Sequence, residues 1–307
     1  MIGRIHRRWV LTATILGSSM AFVDSTVVNI ALPALQESLS ATIADVQWVV
    51  EAYSLFLAAL MLTGGALGDR FGRRRIFAIG VGAFTLASIA CGFATGIAGL
   101  VAARAAQGVG AALLVPGSLA IISASFPDAE RGKAIGTWSA FTSVTMVVGP
   151  LLGGSLIDHI SWRAIFFINV PVAAVVIFLT LRFVPESREH GKRRLDFLGA
   201  ALATAGLGAT VYGLIQSSTL GFAHPSIIGS LAGGVVLLVL FIIVQWKGDS
   251  PMMPLGLFRS RVFAGTNALT LFLYAALAGG LFFVPMNLIQ LQGFTATQAG
   301  AATIPAV

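Results

Sequence analysis

Three ionisable side chains, Asp24, Glu51 and Arg104, stand inside otherwise apolar stretches of the sequence. A charged group within the hydrocarbon of a membrane is costly, so such a residue usually faces a cavity or a partner of opposite charge. An aspartate that pairs with an arginine in one conformation and accepts a proton in another can couple proton movement to conformational change. Asp24 and Arg104 are therefore candidate proton-coupling residues, and a static buried ion pair is the alternative interpretation.

Glu51 admits two interpretations. It follows Trp48 by only three residues, near the predicted end of an apolar segment. At that depth a carboxylate can reach the interfacial water, and it can equally bind a cationic substrate.

The segments that must hold these residues are predicted to cross a membrane. The chain has 57% hydrophobic and only 10% charged residues, whereas about a quarter of the residues of a soluble domain carry charge. A crossing needs about 20 apolar residues. We predict nine crossings, near residues 9–35, 47–67, 76–94, 98–124, 134–157, 163–181, 197–217, 226–246 and 262–290. A tenth begins near Thr295.

The basic residues test this count, because positive charge concentrates on the cytoplasmic side of a membrane protein. Of the 19 lysines and arginines, 17 lie before the first crossing or in alternate connections, and only Arg104 and Arg163 do not. The sequence therefore predicts a multi-pass protein of the bacterial inner membrane with a cytoplasmic N-terminus. The net charge of +7 is explained by orientation against anionic lipid, and we expect no nucleic-acid partner.

Predicted depths allow Asp24 and Arg104 to meet. Asp24 lies about 15 residues beyond Trp9, which at 1.5 Å per residue is roughly 22 Å from the inner end of its helix. Arg104 lies about six residues, roughly 9 Å, from the outer end of helix four. Both belong to the outer half of the bundle.

The sequence gives little support to enzymatic chemistry. The four histidines show no ligand spacing, and the single Cys91 excludes an internal disulfide. We expect no metal or cofactor and no catalytic residues.

The loop between the second and third crossings resembles a signature motif. The segment GGALGDRFGRRR, residues 64–75, is similar to the cytoplasmic loop motif of the major facilitator superfamily. The matching residues are Gly65, Asp69, Arg70, Gly72, Arg73 and Arg74. Glycines permit a tight turn, and the resemblance implies a charge cluster that locks one conformation. A simple positive anchor would explain the arginines but not Asp69.

Two further segments carry the same resemblance. In helix four, LVAARAAQGVGAA resembles the motif in which an arginine, here Arg104, is linked to proton transfer, and Gln107 follows it. In helix five, residues 136–154 resemble the antiporter motif, although Thr145 stands where a glycine is expected. The residues assigned to this motif are Gly136, Gly149, Pro150, Gly153 and Gly154. A bent, closely packed helix follows from Pro150 and the glycines, whereas the antiport direction follows only from the resemblance.

The first crossing narrows the resemblance to one branch of the superfamily. DSTVVNIALP, which includes Asp24 and Asn29, is similar to the signature of the fourteen-helix drug:proton antiporters, and WRAIFFINVP and RLDFLGA resemble entries to helices six and seven of that branch. The implied fold is an all-α polytopic membrane protein of the major facilitator type. We predict a six-helix bundle over 1–185, a loop and two inserted helices over 186–255, and the start of a second bundle over 256–307.

The resemblance implies proton-coupled efflux of drugs or other small lipophilic or cationic compounds, with the proton gradient as energy source. The expected site residues are Asp24, Arg104, Glu51, Asn29 and Gln107. About four and a half helices of a second bundle are expected beyond Val307. The chain is then a C-terminally truncated transporter, a non-transporting fragment, or a half-transporter whose missing helices come from a separate chain. A proton-coupled nutrient importer is a further alternative.

Overall fold

The computed structural model describes residues 4–188, 196–248 and 251–303, and this part of the chain folds into eleven α-helices with a short 3₁₀ turn at Leu255–Arg259. The helices are α1 (Arg4–Leu39), α2 (Ile43–Phe71), α3 (Arg73–Gly92), α4 (Ile97–Ser125), α5 (Asp128–His159), α6 (Ala164–Phe167), α7 (Asn169–Phe183), α8 (Phe197–Leu220), α9 (Pro225–Lys247), α10 (Arg261–Gln290) and α11 (Ala296–Thr303). Nine spans in the described ranges are long and apolar enough to cross a membrane. The nine predicted crossings are confirmed.

Helix α5 begins earlier than the sequence predicts, at Asp128 instead of residue 134. Hydropathy places the start where apolar residues begin. The helix gains an extra polar turn because Asp128 and Glu130 lie in its first turn, where acidic groups interact favourably with the helix dipole.

The sixth crossing is assigned as two helices, α6 and α7, which meet at Ile168. Ile168 keeps helical dihedral angles, with φ −60° and ψ −25°, and its N–H bonds the carbonyl oxygen of Ala164 at 3.1 Å. The chain therefore continues in one direction from Ala164 to Phe183 as a single span. Pro171 has no N–H to donate to the carbonyl four residues earlier. Asn169, the first residue of α7, lies inside the bundle with only 3% exposure.

Contacts between helix ends agree with the predicted alternation of the crossings. At the end of the molecule that carries the start of α1, called the basic end, Arg7 pairs with Glu130 at 2.7 Å, joining the starts of α1 and α5. At the other end, called the opposite end, Gln290 donates to Gln36 at 2.8 Å, joining the ends of α10 and α1.

Small residues bring α2, α3 and α4 together. A Cβ atom added at Gly64 of α2 would lie 2.0 Å from the carbonyl oxygen of Ala112 in α4. A Cβ atom at Gly110 of α4 would lie 2.4 Å from the backbone nitrogen of Phe84 in α3. Such close approach is typical of helices packed in a membrane, where small residues let backbones meet.

Helices α8 and α9 form an antiparallel pair that packs against α2. Gly234 of α9 faces Thr210 of α8, and the rings of Tyr212 and Trp48 lie 6.4 Å apart between α8 and α2. These are the two helices that the sequence predicts as an inserted pair. The segment RLDFLGA is seen only from Asp196 onward, since Arg194 and Leu195 lie outside the described residues.

Candidate functional site

A cluster of buried polar side chains lies where α1, α3, α4 and α7 meet. Asp24 is 2% exposed, Arg104 1% and Gln107 0%. Asp24 comes from α1, whereas Arg104 and Gln107 lie three residues apart on α4, a spacing that puts two side chains on one helix face. The structure thus brings together three of the predicted site residues.

The carboxylate of Asp24 is bound through both oxygens. Arg104 donates from Nη1 to Oδ2 of Asp24, forming a buried ion pair. Gln107 donates from Nε2 to Oδ1 of the same carboxylate at 2.8 Å. The Gln107 side-chain oxygen accepts from Arg104 Nη1 at 2.8 Å, so the three side chains form a closed ring of hydrogen bonds.

Arg104 has partners besides the carboxylate. Its Nε donates to the carbonyl oxygen of Val49 at 3.0 Å, and its guanidinium carbon lies 4.3 Å from the centre of the Tyr53 ring. Both partners come from α2. Arg104 therefore has favourable contacts to α2 and to Gln107 in addition to its ion pair with Asp24.

Two residues of the cluster were not predicted from the sequence. Asn169 donates from Nδ2 to Ser88 Oγ at 2.9 Å and to Asp24 Oδ1 at 3.4 Å. Ser88 in turn donates to the carbonyl oxygen of Phe166 in α6 at 2.8 Å. The WRAIFFINVP segment contains Asn169, but the sequence does not show which way this side chain faces in the bundle.

Asn29 and Glu51 do not join this cluster. Asn29 is buried, and its carboxamide donates to the carbonyl oxygen of Ser25 one turn earlier in α1. Glu51 is half-buried on α2, about 160° around the helix from Val49, the residue whose carbonyl contacts Arg104. The cluster therefore contains three of the five predicted site residues, Asp24, Arg104 and Gln107.

Cys91 borders the cluster as a buried thiol, with Sγ 3.6 Å from Gln107 Oε1. Among the described residues no group of three or more histidine, cysteine, aspartate or glutamate side chains is arranged to hold a metal ion.

The loop motif at the basic end forms local ion pairs. Arg73 pairs with Asp69 at 2.7 Å, across one turn of the α2–α3 corner, and its Nη1 reaches the carbonyl oxygen of Ala120 in α4 at 3.5 Å. Arg70 is exposed and lies over the Phe71 ring, while a Cβ at Gly65 would make only an ordinary 3.6 Å contact with Pro116.

Glu186, which the sequence analysis did not single out, sits on this corner. Its Oε1 accepts from the backbone N–H of Arg74 at 3.1 Å, and the carbonyl oxygen of Ser187 accepts from the N–H of Arg73 at 3.0 Å. Gly72 has a φ of +113°, and a Cβ there would lie 2.7 Å from the Glu186 carboxylate. The segment after α7 thus satisfies the first N–H groups of α3.

The glycines of the helix-five motif face different neighbours. Cβ atoms at Gly149 and Gly153 would lie 2.4 Å from Thr26 and 2.5 Å from Val27, both on α1. At Gly154 a Cβ would lie 2.5 Å from the Ala296 carbonyl oxygen of α11. Gly136 is exposed with open space around it, so it takes no part in this packing.

Pro150 also contributes to the α11 contact. Its carbonyl oxygen would lie 2.3 Å from a Cβ at Gly300. The helix-five motif therefore packs on α1 with one face and on α11 with another.

Comparison with known proteins gives a consistent result. The sequence profile of the Major Facilitator Superfamily matches residues 14–307. The chain is 41% identical over 296 residues to the "Multidrug resistance protein Stp" of Mycobacterium tuberculosis (strain ATCC 25618 / H37Rv), covering 96% of this chain and 55% of that protein. It is 36% identical over 301 residues to the "Tetracenomycin C resistance and export protein" of Streptomyces glaucescens, covering 97% of this chain and 56% of that protein. The chain thus spans about half the length of these relatives.

A solved structure shares the fold at low sequence identity. The crystal structure of a peptide transporter named POT, in complex with sulfate, superposes with a TM-score of 0.65 and 15% identity, covering 96% of this chain and 65% of that one.

Proposed function

The chain belongs to the Major Facilitator Superfamily, and from that premise we propose that it is part of a proton-coupled exporter of drugs or other small lipophilic or cationic compounds. As a transporter of this family it is not an enzyme. Two of its relatives are named for multidrug resistance and for tetracenomycin C resistance and export, which supports efflux of small molecules. We further propose that it belongs to the fourteen-helix antiporter branch, with α8 and α9 as the inserted pair between two bundles.

The observation that carries proton coupling is the buried pair of Asp24 and Arg104. Both side chains are at most 2% exposed, within helices that cross the membrane. A proton on Asp24 removes its negative charge and weakens its bond to Arg104. Arg104 still contacts Val49, Tyr53 and Gln107, so uptake of the proton does not leave its guanidinium group without favourable partners.

Release of Asp24 removes one of the polar links between α1 and α4, another being the hydrogen bond from Ser18 to Ser118 at 2.8 Å, and this connects proton binding to helix movement. Asp24 is the α1 member of the ring, whereas Arg104 and Gln107 belong to α4. The same stretch of α1 packs on the motif glycines of α5 through Thr26 and Val27. A shift of α1 therefore moves the surface against which α5, the proposed antiporter helix, packs.

We propose that the basic end faces the cytoplasm, because positive residues concentrate on that side. Arg7, Arg73 and Arg74 all lie at this end. The 1–185, 186–255 and 256–307 division remains our proposal for the domain organisation.

The test uses everted membrane vesicles that contain the full-length protein, with ethidium as the probe. Asp24→Asn should abolish proton-driven ethidium accumulation while the protein remains in the membrane at parental level. Ser19→Ala is the matched control, since Ser19 is buried on the same helix and its hydroxyl bonds nothing in the described part of the chain. Unchanged accumulation with Asp24→Asn would remove Asp24 from the coupling role.

A further inference from the structure

A carboxylate outside the buried cluster joins α5 to α11 at the opposite end. Asp158, in the last turn of α5, accepts the backbone N–H of Ala296 through Oδ1 at 3.1 Å and that of Thr297 through Oδ2 at 2.9 Å. These are the first two residues of α11. The first N–H groups of a helix have no partner within it and carry partial positive charge, so one ionised carboxylate supplies both missing acceptors.

The two helices touch closely just below this contact. Gly154 lies against the backbone of Ala296 and Thr297, and Gly300 lies against the carbonyl of Pro150. Ala299, between them on α11, is fully buried. No flexible side chain lies between these backbones to adjust the distance, so a separation of the two helices opens a gap between them.

Asp158 differs from Asp24 in its access to water. It is exposed, and it lines a cavity of about 620 Å³ at the opposite end together with Glu37 and Gln290. Gln290 bonds Gln36 across the same region, so two polar contacts hold the helices that surround this cavity.

We propose that Asp158 is a positioning residue that holds the opposite end of the transport pathway closed by anchoring the N-terminus of α11 to the antiporter helix α5. Loss of its charge releases α11 and separates the Gly154 and Gly300 surfaces. The inference rests on the proposed function, because an exporter must open this end to discharge its substrate. It adds a residue to which neither the motif resemblance nor the buried ion pair gives a role.

The test measures accessibility, and it needs no substrate. Ala299→Cys places a thiol in the closed contact, and its labelling by a membrane-impermeant maleimide is measured on intact cells that express the full-length protein. Ala296→Cys, at a position 6% exposed, is a second reporter in case Ala299→Cys folds poorly. The parent without a reporter cysteine gives the background labelling, and within this chain Cys91 is buried.

Asp158→Asn and Asp158→Ala should raise the labelling rate about tenfold or more, because two charge-assisted hydrogen bonds are lost. Asp158→Glu should stay near the parental rate. Glu37→Gln is the matched control, as an exposed acid of the same cavity whose described bond is made by its backbone carbonyl. Equal labelling of Asp158→Asn, Asp158→Ala and the parent with both reporters would overturn the inference. Failure of Asp24→Asn to affect efflux would leave the labelling result untouched, so the two proposals fail separately.

Discussion

The guanidinium of Arg104 lies over the ring of Tyr53, with 4.3 Å between the guanidinium carbon and the ring centre. Both side chains are at most 2% exposed. The contact matters because a buried arginine that loses the charge of its partner Asp24 needs other favourable contacts. Tyr53 gives Arg104 a second favourable surface on α2, independent of the protonation of Asp24.

Substitutions of Tyr53 should distinguish the contribution of its ring to stability from that of its hydroxyl group. Tyr53→Phe keeps the ring over Arg104 and loses only the hydrogen bond to the carbonyl oxygen of Ala21, so we expect a loss of about 1 kcal/mol in the free energy of unfolding. Tyr53→Leu also loses the cation–π contact, worth about 2 kcal/mol when desolvated. Unfolding by SDS titration in mixed micelles measures both. Equal losses for the two variants would show that the ring does not support Arg104.

The buried ion pair predicts a double-mutant cycle with strong coupling. Arg104→Gln leaves Asp24 charged and unpaired, and we expect a loss of about 3–5 kcal/mol in the free energy of unfolding. Adding Asp24→Asn should restore most of this loss, because neither charge then remains buried. Proton-driven transport should stay absent in the double variant. SDS titration of the single and double variants measures these losses in the free energy of unfolding. Losses that simply add in the double variant would contradict a direct ion pair.

Asn169 should matter more to the buried carboxylate than Ser88 does. Asn169→Ala removes the carboxamide that donates to both Asp24 and Ser88, with an expected cost of about 1.5–3 kcal/mol for a bond to a charged group. Ser88→Ala leaves that carboxamide beside Asp24 and should cost about 1 kcal/mol. Unfolding and proton-driven efflux are both measured. A larger effect on efflux for Ser88→Ala would contradict the direct role of Asn169.

Two glycines around α3 should respond in opposite directions to alanine. Gly72 has a φ of +113° and faces the Glu186 carboxylate at 2.7 Å from its Cβ position, so Gly72→Ala should destabilise the protein by about 1–2 kcal/mol or more. Gly82 lies inside α3 with open space around its Cβ position. Gly82→Ala should stabilise the helix by up to about 1 kcal/mol. Thermal unfolding in detergent compares the two, and a stable Gly72→Ala protein would contradict the tight corner.

The sequence by itself determined that the chain is a membrane protein, that it has nine crossings and which helix ends lie at the same end of the molecule. Hydropathy and basic charge are local properties of each segment, so these features follow without knowledge of the packing. It also placed Asp24 and Arg104 at compatible depths, since depth follows from residue count along a helix. The tertiary structure decided which polar groups meet at that depth. Glu51 is at a plausible height but faces around α2 away from Arg104, and counting residues along the chain does not fix how a helix is turned in the bundle.

Three contacts could come only from the folded chain. Asn169 reaches Asp24 because the sixth crossing is turned so that this side chain faces α1. Glu186 meets Arg74 and Asp158 meets Ala296 across separations of 112 and 138 residues. Each is a side chain that satisfies backbone or polar groups of a distant helix, and such a partner is selected by the packing of the bundle. Local sequence supplies the helices and their depth, whereas packing supplies their rotation and the identity of their neighbours.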